Sequence, residues 1–397
     1  VNGRRQGVLF ALLVVFFDMM AASIVVPVLP PLVLQLMGGN AAGAAGAVGV
    51  FGTIFSAMQL IFGPLQGALS DRFGRRPVLV VSCVGLAVSQ AVAGLAPSIA
   101  VLLAGRVLAG ISAANVSTAT AYLADILPPE ERAAGFGRIG VAFGAGLVLG
   151  PVAGGLLGGM GLRAPFWAAS GIALFNAGWA LFVLRESLPP ERRAPFRFAR
   201  ANPIGAVRFL RANARLTRLA AASTLSLVAQ QALISIFILS ASIRFGWGPR
   251  ILGLAMGGVG VCYAVVGGAL VQPAISRIGS TATLSVGLGF GVLGFAALAV
   301  APNGLAYVMT IPIISLWGLS GPVVQGAMSR TVGADEQGRL QGANTSLAGL
   351  AGVIGPALFG GSFAWALRTH APPGVPFGIA AVLVLVSVPL AIRAVRE

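Results

Sequence analysis

Two ionisable residues stand inside apolar runs long enough to cross a bilayer. Asp18 lies in "GVLFALLVVFFDMMAASIVVPVLP" and Arg106 in "VLLAGRVLAG". A charge at membrane depth is costly, from ~2.5 to well over 10 kcal/mol by different estimates, and is a functional hypothesis by default. A carboxyl there can take up and release a proton as its surroundings change. On the helical face of Asp18, positions 14, 21, 22 and 25 are Val, Ala, Ala and Val. Such a small-residue face packs against protein rather than lipid. Arg106 shares a stripe with Gly110, Ala113 and Ser117. Burial disfavours a charged carboxyl and a nearby guanidinium favours it, so the two influences oppose each other. Asp18 is therefore read as a proton carrier with Arg106 as its modulator, or else as half of an inert buried pair.

A second concentration of chemistry is Gly67–Leu79, "GALSDRFGRRPVL", in which Asp71, Arg72, Arg75 and Arg76 crowd between two apolar runs around Gly74. A turn with a positive-inside signal explains the arginines. A charged latch explains the acid as well. A third pattern is glycine at 146, 150, 154 and 158, with Gly155 and Pro151 among them. Glycines four apart give a helix a ridge free of side chains, on which a neighbour can lie closely. Pro151 removes one backbone hydrogen bond and favours a kink. The ridge is a pivot or seal, or plain tight packing.

These residues need apolar helices to carry them. The chain has 397 residues, 57% hydrophobic and only 9% charged, with a mean hydropathy of +0.93. Soluble domains hold roughly 25% charged residues, so this is a polytopic membrane protein of helices. Breaks at charges and Pro/Gly clusters give twelve spans: 7–29, 42–66, 78–97, 99–124, 137–160, 164–184, 218–242, 248–273, 281–301, 304–329, 340–366 and 373–395. The arginines of 185–217 (Arg185, Arg192, Arg193, Arg197, Arg200, Arg208, Arg211, Arg215) mark a cytoplasmic linker between six-helix halves at 1–184 and 218–397. Arginine fills the inner segments, while the outer loops hold only Arg163, Arg244, Arg250 and Arg368, which puts both termini inside.

The halves repeat. Gly150-Pro151 and Gly355-Pro356 are 205 residues apart, and the same offset pairs Gly74 with Gly279 and Glu131 with Glu336. The expected architecture is all-α, with two pseudo-symmetric bundles of parallel repeats.

Composition also excludes functions. The net charge of +16 sits in short gaps between spans, so nucleic acid is not an expected partner. Every basic residue is Arg, and a P-loop requires Lys. Cys83, Cys262 and the single His370 are scattered, so no metal, cofactor or nucleophile–base cluster is expected, and an enzyme is not.

"GALSDRFGRRPVL" resembles motif A of the major facilitator superfamily, "GRVLAG" (Gly105–Gly110) its motif B, and "GLVLGPVAGG" (Gly146–Gly155) the motif C of its proton-coupled drug antiporters. With "MAASIVVPVLPPL", "AYLADILPPEERA" and "EQGRLQG", the chain is most similar to the twelve-helix tetracycline/proton antiporters. The resemblance implies that motif A latches one conformation, with Asp71 near the eleventh helix and Arg75 near Asp125. It also puts Asp18 at the group's first-helix acid and Gln59 at a matching glutamine. Ser89 and Gly291 stand where that group has further acids, so poor tetracycline resistance relative to some lipophilic compound is expected.

The expected substrate cavity mixes polar anchors with aromatics: Gln59 and Asn115 from the first half, and Gln230, Gln231, Phe237, Trp317, Gln325 and Asn344 from the second. Together these features predict a monomeric bacterial inner-membrane antiporter exporting amphipathic small molecules against protons. The alternative is a proton symporter or facilitator importing an organic metabolite.

Overall fold

A computed structural model describes residues 2–113, 115–193, 209–210, 213–333 and 336–396. Of the expected linker, Arg197, Arg200, Arg208 and Arg211 lie outside the described residues. The described chain is built of helices. α1 is Asn2–Ser23, α2 Leu29–Leu36, α3 Ala41–Phe73, α4 Arg75–Leu95, α5 Ile99–Ile111, α6 Asn115–Ile126, α7 Pro129–Gly158 and α8 Ala164–Phe182. Then come α9 Ala214–Ser235, α10 Phe237–Phe245, α11 Pro249–Val265, α12 Val271–Val300, α13 Gly304–Ser315, α14 Ser320–Thr331, α15 Gln337–Arg368 and α16 Val375–Arg396.

Nine helices among the described residues are long and apolar enough to cross a membrane, and ten when α9 and α10, bent by 43°, form one span. One of these stretches, Pro249–Val300, is 52 residues long. It is divided at Gly279, whose backbone (φ 81°, ψ 162°) is not helical. Counting its two parts separately, together with the 19-residue α8, which is not among those nine helices, is consistent with twelve spans. Large apolar side chains such as Val81 (70% exposed) and Val141 (73%) face outward, as lipid-facing positions require.

Several spans depart from straight helices. The first stops at Ser23 and resumes as α2. The fourth is interrupted at Ser112 and Ala113, the tenth by a 3₁₀ turn at Leu316–Leu319, and the eighth by a π-turn at Val266–Leu270. The charged stretch is also not a loop between helices. α3 runs to Phe73, α4 begins at Arg75, and Gly74 alone makes the turn with φ 107° and ψ 159°. Gly279 has nearly the same dihedrals, 205 positions on. The repeat read from sequence is thus present in the backbone.

The chain forms two compact units. One gathers Val1–Gly38, Ile54–Ala201 and Gly248–Gly257, and the other Gly39–Thr53, Asn202–Trp247 and Gly258–Glu397. The first has a core of Val8, Ala11, Val14 and Val15 of α1 against Leu79, Ala119, Leu123, Ile139 and Leu184. In the second, Tyr307 packs among the rings of Phe237, Phe245, Trp247 and Phe377.

Candidate functional site: a buried carboxyl, a charged turn and a cavity

Asp18 is 3% exposed and Asn115 1%. Asn115, the first residue of α6, donates its Nδ2–H to Asp18 Oδ1, while its own Oδ1 is buried without a partner among the described residues. The interruption before α6 puts a short polar side chain at the level of the acid. Among the described residues no ion pair joins Asp18 to Arg106. In place of the ion pair weighed from sequence stands an amide–carboxyl pair, which gives Asn115, expected to line the substrate cavity, the acid as its partner. Arg106 is half-buried on α5. On the next turn of α1, Asn176 of α8 donates to the Val14 carbonyl at 3.0 Å.

The glycine ridge of α7 lies against this same helix. A Cβ at Gly146 would stand 2.6 Å from the Phe16 carbonyl oxygen and 2.8 Å from Met19 Cβ. At Gly150 it would meet Ser23 Oγ and at Gly154 the Ile24 carbonyl. Ser23 Oγ–H donates to the Gly146 carbonyl at 3.1 Å. Gly155 turns to another neighbour, where a Cβ would stand 2.7 Å from both Gly253 Cα and the Pro249 carbonyl oxygen.

The charged turn is wired to four helices. Arg75 donates to Asp71 Oδ1 at 2.5 Å, to Ser70 Oγ at 2.7 Å and to Asp125 Oδ2, at the end of α6, at 3.1 Å. Ser187 Oγ–H reaches the same Asp125 oxygen at 3.0 Å. Arg76 donates to the Leu181 carbonyl of α8, and Arg72 lies 5.2 Å from the Phe73 ring. A residue that the sequence did not single out completes the cluster. Glu186 accepts from the backbone N–H of Arg75 (2.9 Å) and Arg76 (3.2 Å), and of Ser187 and Leu188 (both 3.0 Å). The free N–H groups of a helix start attract a carboxylate. A Cβ at Gly74 would collide with that carboxylate. The only sequence signal for Glu186 was an acid just past the end of a span.

In the second unit, α9, α11, α12, α14, α16 and the Leu316–Leu319 turn line a half-open cavity of about 280 Å3. Gln230, Trp317 and Gln325 of the expected substrate set line it. Ser223, Ser226 and Tyr263 do so too, and none of these was singled out from sequence. The remaining expected residues stand elsewhere. Phe237 is 2% exposed and stacks on Tyr307 with ring centroids 4.8 Å apart, so it belongs to the core. Gln231 packs against Gly355, Asn344 has a buried Oδ1 without a partner, and Gln59 is an exposed residue of α3.

Known proteins align with the whole of this arrangement. The profile described as Major Facilitator Superfamily matches residues 11–356. The chain is 34% identical to the class C tetracycline resistance protein of Escherichia coli, over 94% of this chain and 93% of that one. It is 31% identical to the class G tetracycline resistance protein of Vibrio anguillarum, over 97% of each. Among solved structures, the human organic anion transporter MFSD10 (TETRAN) superposes with a TM-score of 0.71 at 26% identity, covering 98% of this chain and 99% of that one.

Proposed function

The chain belongs to the major facilitator superfamily, as a multi-pass membrane transporter and not an enzyme, and from that premise we propose that it exports amphipathic small molecules in exchange for protons. The observation that carries this reading is Asp18, a carboxyl 3% exposed in a spanning helix and held by one amide. A proton arriving there removes a buried charge, which changes the free energy of any arrangement that keeps the site dry. Asn115 suits both states: its N–H₂ serves the carboxylate, and its unpartnered Oδ1 can accept from the neutral acid after an amide flip. The glycines of α7 let α1 lie close to its neighbour's backbone. Similarity to tetracycline resistance proteins at modest identity supports export of drug-like compounds. The proposed setting is a bacterial inner membrane, with both termini cytoplasmic. The proposed machine is a monomer whose halves, 1–184 and 218–397, alternate access around the substrate.

The test is transport in inverted vesicles with an imposed pH gradient. Wild-type protein should accumulate an exported drug. Asp18→Asn, a permanent mimic of the protonated acid, should abolish accumulation while keeping part of the gradient-free counterflow. Gradient-driven accumulation by Asp18→Asn at the wild-type rate would show that the coupling proton goes elsewhere.

A further inference from the structure

Arg106 is left without a counter-charge by the rest of its unit. Among the described residues no ion pair or hydrogen bond engages its guanidinium. The acids of that unit are occupied elsewhere or lie at the surface. Asn115 holds Asp18, Arg75 holds Asp71 and Asp125, and the start of α4 holds Glu186. Glu130, Glu131 and Glu191 are exposed. A guanidinium does not give up its proton, and a charge at membrane depth with no partner is a functional hypothesis by default.

The side chain does not turn to lipid. Arg106 is seven residues into α5, about 10 Å from the start of that helix. The exposed line of α5 is Ala100, Ala104 and Leu108. Arg106 is two residues from Ala104 and two from Leu108, which on a helix of about 3.6 residues per turn puts it on the opposite side. The glycines next to it on that side identify its neighbours. A Cβ at Gly105 would stand 3.0 Å from the Ser89 carbonyl oxygen of α4, and one at Gly110 would stand 2.6 Å from the Phe55 carbonyl oxygen of α3. Arg106 therefore projects between two backbones of its own unit. Neither neighbour brings a charge: Ser89 turns its hydroxyl to the Leu86 carbonyl at 2.7 Å. The guanidinium nitrogens are nonetheless not closed off. Arg76 Nε is buried without a partner among the described residues, whereas the unpartnered nitrogens of Arg106 keep accessible surface.

We propose that Arg106 binds the anionic group of a small amphipathic substrate, a carboxylate above all. The planar fork of a guanidinium meets a carboxylate with two parallel hydrogen bonds. An uncharged analogue leaves the charge unmet, and a cation is repelled. Since the residue faces away from lipid, a phospholipid headgroup is not the source of the anion. The inference deepens the export reading and rests on it for what brings such a molecule to the site, but its chemistry is tested by binding alone.

The full chain, purified in nonionic detergent, is titrated at about pH 7.5 and about 0.5 M NaCl with 2-naphthoate and with 2-naphthamide, which differ in charge and hardly in size. Salt at that level screens exposed arginines. The naphthoate should bind about tenfold more tightly, as one hydrogen bond to a charged group supplies. Arg106→Gln should bring the naphthoate down to the affinity of the amide and leave the amide within twofold. Equal wild-type affinities, a naphthoate preference that survives in folded Arg106→Gln, equal losses for both probes, or binding of neither probe would each overturn the proposal. If Arg106→Gln fails to fold, the wild-type comparison still decides. No proton gradient enters these titrations, so a failure of proton-driven export would leave their outcome unchanged. Equal binding of the two probes would leave export of uncharged or cationic compounds standing.

Discussion

At the scale of single residues, Asp18 has one side-chain donor among the described residues, and removing that donor should be felt as function before stability. Hydrogen bonds to charged groups contribute about 1.5–3 kcal/mol. Asn115→Ala should therefore lower gradient-driven export by about tenfold or more and move its pH midpoint, with gradient-free counterflow retained. An unchanged pH profile would reduce Asn115 to packing. Sequence could find Asp18, because an acid in an apolar run is visible in one dimension. It could not find the partner, which is 97 residues away and uncharged. Arg106 drew attention by its charge and its small-residue stripe, but among the described residues no ion pair joins it to Asp18. Tyr263 escaped for a related reason. A tyrosine in an apolar span reads as ordinary core until its hydroxyl is found without a partner.

At the scale of elements, the two glycine turns offer a controlled comparison. Gly74 and Gly279 share a backbone region that is essentially confined to glycine and costs another residue ~1–3 kcal/mol. A Cβ at Gly279 meets nothing within 4 Å, whereas at Gly74 it strikes the Glu186 carboxylate. Gly74→Ala should lower the unfolding temperature more than Gly279→Ala. In a Glu186→Ala background, that excess should disappear, because the collision goes with the carboxylate. Additive effects would mean that Glu186 yields freely to the new methyl. Spans were legible here because hydropathy fixes them, but their ends were not. α3 carries Asp71 and Arg72 inside its last turn, since helices continue past the apolar stretch where their polar side chains have partners. Two of the arginines expected in outer loops from the sequence have an element-scale reason too. Arg163 donates to the carbonyls of Gly94 (3.2 Å) and Ala96 (2.8 Å). Arg244 donates to those of Leu298 (3.1 Å) and Ala301 (2.6 Å). Each closes the carboxyl end of a helix, where carbonyls lack partners and cations are favoured.

At the scale of the whole molecule, the repeat extends to how backbones cross. Gly155 meets Gly253 in one unit, and Gly360 meets Gly49 in the other, where a Cβ at Gly360 would stand 2.5 Å from Gly49 Cα. From Gly155 to Gly360 is again 205 positions. Overpacking at such points costs about 1–3 kcal/mol. Gly253→Val and Gly49→Val should therefore each cut export at least tenfold while inserting normally, and by similar factors. A loss confined to one would break the equivalence. These crossings set glycine against glycine, whereas the cavity is lined by side chains of α9, α11 and α14 and of the Leu316–Leu319 turn. The close crossings and the cavity lining are therefore encoded by different letters of the same chain. A library confined to Ser223, Ser226, Gln230, Tyr263, Trp317 and Gln325 can redraw the range of compounds handled without disturbing either crossing. The same number of changes at the crossing glycines can only break the machine. New specificities should accordingly be reachable by short mutational paths through folded intermediates.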